Sequence, residues 1–424
     1  MRVDFAYGKG FLSHEFGSEL KNVVRSGINS YDQGLGEDEI VERAIKSPIG
    51  SPKLSELAKG CNKITVIASD HTRPVPSRHI MPGMLRELRR GNPDAEITIL
   101  IATGCHRSTT IEELEGKFGE EFVKNEHIVI HDCLDEKNLV TLGILPSGAE
   151  LRINRYAAEA DLLVSEGFIE PHFFAGFSGG RKSVLPGVAS RKTVLGNHCS
   201  KFIASENART GILDGNPINR DMEAAAIMAK LRFIVNVVIN EKKQVLYAVA
   251  GDPIKAHHAG CEFLNSLCRA EVEPTDIAIS TNGGYPLDQN VYQAVKGMTA
   301  AEGAVREGGV IIMCAATNDG HGGESFYKMI ANAKSPADYT REALSRSADE
   351  TLPDQWEAQI FFRVISKAKV IYISEAPDEL ITALKMIPAH SLDEALEKAR
   401  GILKTENASV NAIPDGVSVI VERR

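Results

Sequence analysis

Residues 62–107 read NKITVIASDHTRPVPSRHIMPGMLRELRRGNPDAEITILIATGCHR, and the fold class follows from this stretch. Its two ends, 62–69 (NKITVIAS) and 95–102 (AEITILIA), are short β-branched apolar runs, as expected of strands buried on both faces. Between them an amphipathic stretch places Met84, Leu85 and Leu88 on one face, the pattern of a helix packed on a sheet. A strand, a helix and a second buried strand make a right-handed crossover in a parallel sheet.

Further runs at 127–130 and 161–165 continue the alternation. From 233 to 250, FIVNVVINEKKQVLYAVA reads as two strands joined by a hairpin tip at 240–243. The acidic, proline-containing stretch 271–275 reads as a linker, and fresh strands are expected from Ile277, at 310–314 and at 369–374. The expectation is therefore an α/β protein of two α/β domains with mostly parallel sheets and an active-site cleft between them. The N-terminal domain is set at 1–270 and the C-terminal domain at 271–424, with the closing run 417–422 (VSVIVE) open to either sheet.

The chain has 424 residues and a formal net charge of −9. That length is enough for two or three domains with sizeable cores. An acidic chain without long basic blocks has no field to gather nucleic acid. No run of ~18 apolar residues and no secretory leader pattern is present, so a cytoplasmic protein without a membrane partner is expected. Seven cysteines without a CxxC pair exclude a disulfide framework and a thiolate zinc site.

In parallel α/β sheets ligands bind beyond the carboxyl ends of strands, so the loops there carry the chemistry. The first is Asp70-His71-Thr72-Arg73-Pro74, in which the prolines stiffen the loop and Arg73 is suited to grip a carboxylate or phosphate. A structural Asp–Arg pair is the plainer alternative. The second, Gly104-Cys105-His106-Arg107, combines a glycine that permits close backbone approach with an imidazole.

The third loop, 166–187 (EGFIEPHFFAGFSGGRKSVLPG), is too rich in glycine and proline for a helix, and too apolar to be solvated. It resembles a P-loop at 176–183, but Arg181 stands where a glycine should precede the lysine. The amides of Ser178, Gly179 and Gly180 could form an anion nest. Lys182 has two readings, a phosphate ligand or an amine that makes a covalent bond.

Asn197-His198 adds an imidazole suited to nickel, zinc or copper. In the C-terminal half Tyr292-Gln293-Ala294-Val295-Lys296 puts Gln293 and Lys296 on one helical face, by default a solvated stripe. Trp356, the single tryptophan, reads by itself as core packing.

Together these segments resemble the nickel-pincer lactate racemase family, from the Asp-x-x-Arg-Pro loop to Trp356. The motifs agree in order: Gly-Cys-His-Arg, Pro-His with Ser-Gly-Gly-Arg-Lys, Asn-His, and Tyr-Gln-x-x-Lys-Gly. The resemblance implies a 2-hydroxyacid racemase with lactate as the default substrate. It implies a nickel ion carried by a pyridinium-3,5-bisthiocarboxylic acid mononucleotide, linked covalently to Lys182 and completed by His198 as metal ligand. It further implies that residues 70–73 (Asp70, His71, Thr72, Arg73) and Ser178, Gly179 and Gly180 contact the cofactor.

His106 and His172 correspond to alternating acid and base, serving hydride transfer rather than direct deprotonation of Cα. Arg73, Tyr292, Gln293, Lys296 and Trp356 correspond to substrate contacts. The expected partners are a small 2-hydroxy acid and the proteins that build and insert the cofactor. Two other readings stand beside it: a zinc hydrolase using His106, His172 and His198, and a non-catalytic organic-acid or nucleotide binder.

Overall fold

The computed structural model describes residues 1–424. The runs that open the sequence argument form β1 (Lys63–Ser69) and β2 (Glu96–Ala102), paired in parallel with Lys63 opposite Glu96 and Ser69 opposite Ala102. They are joined through α1 (Ser77–Gly91), which buries Ile80, Met81, Met84, Leu85 and Leu88. Each such side chain contributes about 1.5–3 kcal/mol on leaving water. Four more strands complete the sheet: β3 (His127–Ile130), β4 (Leu162–Phe168), β5 (Leu231–Ile239) and β6 (Val245–Gly251).

The spatial order is β6-β5-β4-β1-β2-β3. Strands β3, β2, β1, β4 and β5 run in parallel. Strand β6 returns antiparallel to β5, as the hairpin reading at 233–250 expects. From β1 the chain winds outward to β2 and β3, then comes back to place β4 on the other side of β1. The carboxyl ends of β1 and β4 are therefore a topological switch point, where the diverging loops open a crevice. The longer helices that follow β4 in this half of the chain are α2 (Arg191–Asn197), α3 (Pro217–Met228) and α4 (Lys255–Cys268).

A second six-stranded sheet is wholly parallel. It contains β7 (Thr275–Thr281), β8 (Val305–Cys314), β9 (Lys369–Ile373), β10 (Ile387–Ala389) and β11 (Val410–Ile413), in the order β10-β9-β8-β7-β11 with the short strand Leu20–Val23 at its edge. Helix α5 (Val291–Ala304) follows β7, and α6 (Gln355–Lys367) precedes β9.

The chain folds as two compact units, one of Ile28–His198 with Ser205–Ser266, the other of Met1–Gly27, Cys199–Ala204 and Leu267–Arg424. A single cut near residue 270 thus needs correction. The first 27 residues belong with the C-terminal half, because Leu20–Val23 hydrogen-bonds to β11 and Val3, Phe5 and Phe16 enter that unit's core. The stretch read as a linker holds a strand, Arg269–Val272, whose parallel partner is the closing strand Ile420–Arg423. The closing run stays in its own half. All seven cysteines are free thiols. No helix is long and apolar enough to cross a membrane.

Candidate active site

The switch point is built by the loops that follow β1, β2 and β4. Ser69 closes β1 and donates from its amide and hydroxyl to Glu166 Oε1 on β4, at 3.1 and 3.2 Å. Ser77 Oγ, at the start of α1, donates to the same oxygen at 2.9 Å. Glu166 therefore ties the loop after β1 to the neighbouring strand at both of its ends.

Within that loop Asp70 is buried and Thr72 donates to its Oδ1 at 2.7 Å. Its Oδ2 accepts from His106 Nδ1 at 2.8 Å. Burial pushes the Asp70 carboxyl up, but the hydrogen bonds from His106 and Thr72 and the charges of His106 and Arg73 outweigh it and hold the pKa below the ordinary value. Asp70 is thus an ionised acceptor that fixes the His106 ring. With Nδ1 as the donor, Nε2 holds the lone pair of the neutral imidazole.

Arg73 is exposed, and its guanidinium makes no hydrogen bond or ion pair. It is an available cation at the mouth of the loop. His71 turns away to Thr109 Oγ1, at 3.0 Å, and towards Glu113. Gly104, at φ +55°, donates its amide to Gly187 O and brings the loop after β2 against the end of the 166–187 run.

After β4 the chain makes a small hairpin in which Pro171–His172 pairs antiparallel with Gly176–Phe177. Gly176 sits at φ +79°, where a Cβ would lie 2.3 Å from Ile212 O, so only glycine fits. The Ala175 amide donates to His172 Nδ1 at 3.3 Å. That places the proton of the neutral His172 ring on Nε2. Phe173 stacks on the ring, and Phe174 stands edge-on between His172 and His198, with centroids at 4.5 and 5.1 Å.

His198 follows α2 and is buried. Its Nδ1 donates to Val194 O at 3.0 Å, one helical turn back. Burial, and then the charge of Lys182, depress its pKa to about 3. The ring is therefore neutral, and its Nε2 presents a lone pair in the tautomer that a metal ligand needs. Lys182 lies in the turn Gly180–Ser183, where its amide donates to Gly179 O.

The anion-nest expectation needs amending. The Ser178 amide donates to Glu170 O, and the Gly180 amide donates to Asn236 Oδ1 at 2.6 Å. Those two amides are already committed within the protein.

The zinc reading fails on geometry. No three His, Cys, Asp or Glu side chains converge to hold a metal.

In the C-terminal unit, α5 carries the motif expected from the sequence. Lys296 Nζ donates to Gln293 Oε1 at 2.8 Å, and the Tyr292 hydroxyl donates to Asp354 Oδ1 at 3.3 Å. Trp356 is half-buried on the first turn of α6 rather than sunk in the core. Sequence reading gave no separate role to Glu166, which opens the 166–187 loop, or to Asn236 and Glu357, because their contacts join segments distant in the chain.

Two family models match, the lactate racemase N-terminal domain over residues 7–211 and the lactate racemase C-terminal domain over residues 270–421. The chain is 51% identical over 424 residues to a lactate racemase of Thermoanaerobacterium thermosaccharolyticum, covering 100% of this chain and 99% of that protein. It is 52% identical over 422 residues to a lactate racemase of Lactiplantibacillus plantarum, covering 99% of each. The solved lactate racemase apoprotein of the first organism superposes with a TM-score of 0.95 at 50% identity, over 99% of this chain and 100% of that one. A Thermotoga maritima protein at 23% identity and a TM-score of 0.65, over 92% of this chain and 100% of that one, shares the fold. The chain, an isomerase of the racemase class, belongs to the lactate racemase family.

Proposed function

We propose that this protein interconverts the enantiomers of a 2-hydroxy acid, with lactate the default substrate, using a nickel-bearing pyridinium mononucleotide attached to Lys182. The observation that carries the reading is His198, a buried neutral imidazole whose Nδ1 is tied to Val194 O, the tautomer in which Nε2 is the ligating nitrogen. The residues fit such a group: the His198 ring carries its proton on Nδ1, and the Lys182 charge acts on that ring. Lys182 would carry the group and His198 would ligate its metal, imidazole being a ligand that suits Ni(II). When bound, that group supplies a reversible acceptor for the hydride of the substrate Cα.

The protein's own work is proton transfer and orientation. His106 Nε2 takes the substrate hydroxyl proton, and Asp70 stabilises the resulting imidazolium through Nδ1. On the opposite leg a doubly protonated His172 returns a proton to the oxygen. In its neutral form His172 accepts the Ala175 amide at Nδ1, at 3.3 Å, and protonation of that nitrogen breaks the contact. At the end His106 is charged and His172 neutral, so the reverse reaction runs with the roles exchanged. Arg73 and Lys296 are assigned to the substrate carboxylate, with Gln293 holding the Lys296 ammonium and Tyr292 and Trp356 lining its surroundings.

The test is to co-express the chain with the cofactor-building proteins and incubate it with one lactate enantiomer. The expected result is loss of optical rotation, together with nickel and a covalent mass addition on Lys182. Retained rotation with lactate, malate and 2-hydroxybutyrate, from protein carrying that adduct, overturns the reading. Binding of the acid without turnover would instead support the binding-protein alternative.

A further inference from the structure

Arg181 is the largest fully buried side chain of the molecule, and none of its hydrogen-bond partners is a carboxylate. Its Nε donates to Asn219 Oδ1 at 2.7 Å, Nη2 to Ala175 O at 2.9 Å, and Nη1 to Gly179 O at 3.2 Å, with His257 Nε2 3.0 Å from Nη1. Burial depresses its pKa to about 10, still leaving it charged at neutral pH. Taking a cation out of water without a partner ion costs several kcal/mol, so its retention calls for a physical reason.

The carbonyls it binds supply one. Ala175 presents its C=O to Arg181 and its N–H to His172 Nδ1. Gly179 presents its C=O both to Arg181 and to the backbone amide of Lys182. One planar fork therefore spans residues 175–179 and reaches the peptide neighbours of both functional side chains. We infer that Arg181 is the positioning residue of this site, a clamp that holds His172 and Lys182 in one mutual geometry.

The clamp is anchored from behind. Asn219 also donates to Glu223 Oε1 at 3.0 Å, and Glu223 lies 3.2 Å from His258 Nε2. Glu223, Asn219 and His258 line a cavity of about 210 Å³. Arg181's countercharge is thus held one residue away, beyond Asn219. A direct carboxylate would compete with the loop carbonyls for the guanidinium N–H groups.

On its other side the loop meets His257 and Asn236, which exclude any side chain at Gly180 and Gly179. A Cβ there would come within 2.7 Å of the His257 ring or of Asn236 Oδ1. A lysine at 181 keeps the charge but cannot reach the Ala175 and Gly179 carbonyls and Asn219 from one rigid plane.

The inference rests on the proposed function for the role of Lys182, and its test separates the two. Arg181→Lys and Arg181→Met are compared with the wild-type chain, co-expressed with the cofactor-building proteins. The expected result is at least a 10-fold fall in the fraction bearing the Lys182 mass addition. In the loaded fraction kcat falls about 10-fold and KM is unchanged. Arg181→Lys is expected to lose nearly as much as Arg181→Met, because the fork rather than the charge acts.

Amide hydrogen exchange of the unloaded proteins is the second readout. Residues 175–183 should exchange at least 10-fold faster in Arg181→Lys, with protection of β1, β2 and β4 retained. Asn219→Ala, which removes a single anchor, should give an intermediate rate and serves if the Arg181 variants do not fold. Wild-type loading and kcat in Arg181→Lys overturn the inference, as does unchanged exchange at 175–183. If the wild-type chain itself neither loads nor racemises, the proposed function fails and the exchange measurement alone decides the clamp.

Discussion

Asp70 Oδ2 and His106 Nδ1 meet at 2.8 Å from the ends of adjacent parallel strands, so a buried carboxylate fixes the tautomer of a half-exposed imidazole. Asp70→Asn keeps the shape but removes the negative charge that stabilises the His106 imidazolium. The expected outcome is a fall in kcat on the order of 100-fold, with a smaller change in KM, measured by racemisation of the loaded enzyme. Because the folded-state pKa of Asp70 lies below its ordinary value, its stabilising contribution is present above the unfolded-state pKa. It is lost as pH falls through the folded value. The difference in thermal stability between wild type and Asp70→Asn should therefore shrink on acidification.

His198 already carries the neutral form at pH 7, since its pKa lies near 3. Nickel retention in loaded protein should be unchanged between pH 8 and pH 5 as far as this ligand is concerned. His198→Ala should lose the ion while the Lys182 adduct persists, as metal analysis and intact mass will show.

Glu357 lies buried on α6, and its Oε1 has no hydrogen-bond partner. Burial pushes its pKa up to about 8, opposed by the Lys296 charge and reinforced by Asp354. A carboxyl raised on folding contributes stability that is complete below its unfolded pKa and is lost as pH rises through the folded value. Glu357→Gln should therefore gain stability relative to wild type between about pH 4.5 and 8 and hold a constant advantage above. Thermal denaturation of the unloaded proteins across that window checks the sign.

Gly180→Ala meets two obstacles, a backbone at φ +54° and the His257 ring 2.7 Å from the new methyl. The expected cost is about 1–3 kcal/mol of stability, read by denaturant unfolding. Gly116→Ala, in the helix Ile111–Phe118 with nothing within 4 Å of an added Cβ, is the control and should be neutral or slightly stabilising.

Lys296→Met removes the ammonium that Gln293 orients at 2.8 Å. KM for the hydroxy acid is expected to rise by at least about 10-fold, the equivalent of one charge-assisted hydrogen bond, with the Lys182 adduct unaffected. Initial rates over a range of substrate concentrations separate the two parameters.

Strand and helix positions were legible because burial on a parallel sheet imposes a local pattern. The run 62–69 is buried from Ile64 to Ala68 and forms β1, and 233–250 turns back as a hairpin in the structure. The placing of Asp70, His106, His172 and Lys182 in loops that follow strands was equally legible, in a fold class that binds ligands at strand ends.

Other features depended on contacts between distant parts of the chain. Asp70 and His106 lie 36 residues apart, and they meet because β1 and β2 are neighbours in register. Met1–Gly27 joins the C-terminal unit because its strand completes the far edge of that sheet, which no pattern in the first residues announces. Arg181, which in the sequence spoils a P-loop, becomes the buried clamp of its own loop once Asn219, His257 and two carbonyls surround it. Periodicity reports which face of an element is buried. The partner of a buried polar group is chosen only when the elements pack, because an unpaired charge or amide in the interior costs more than any local preference supplies.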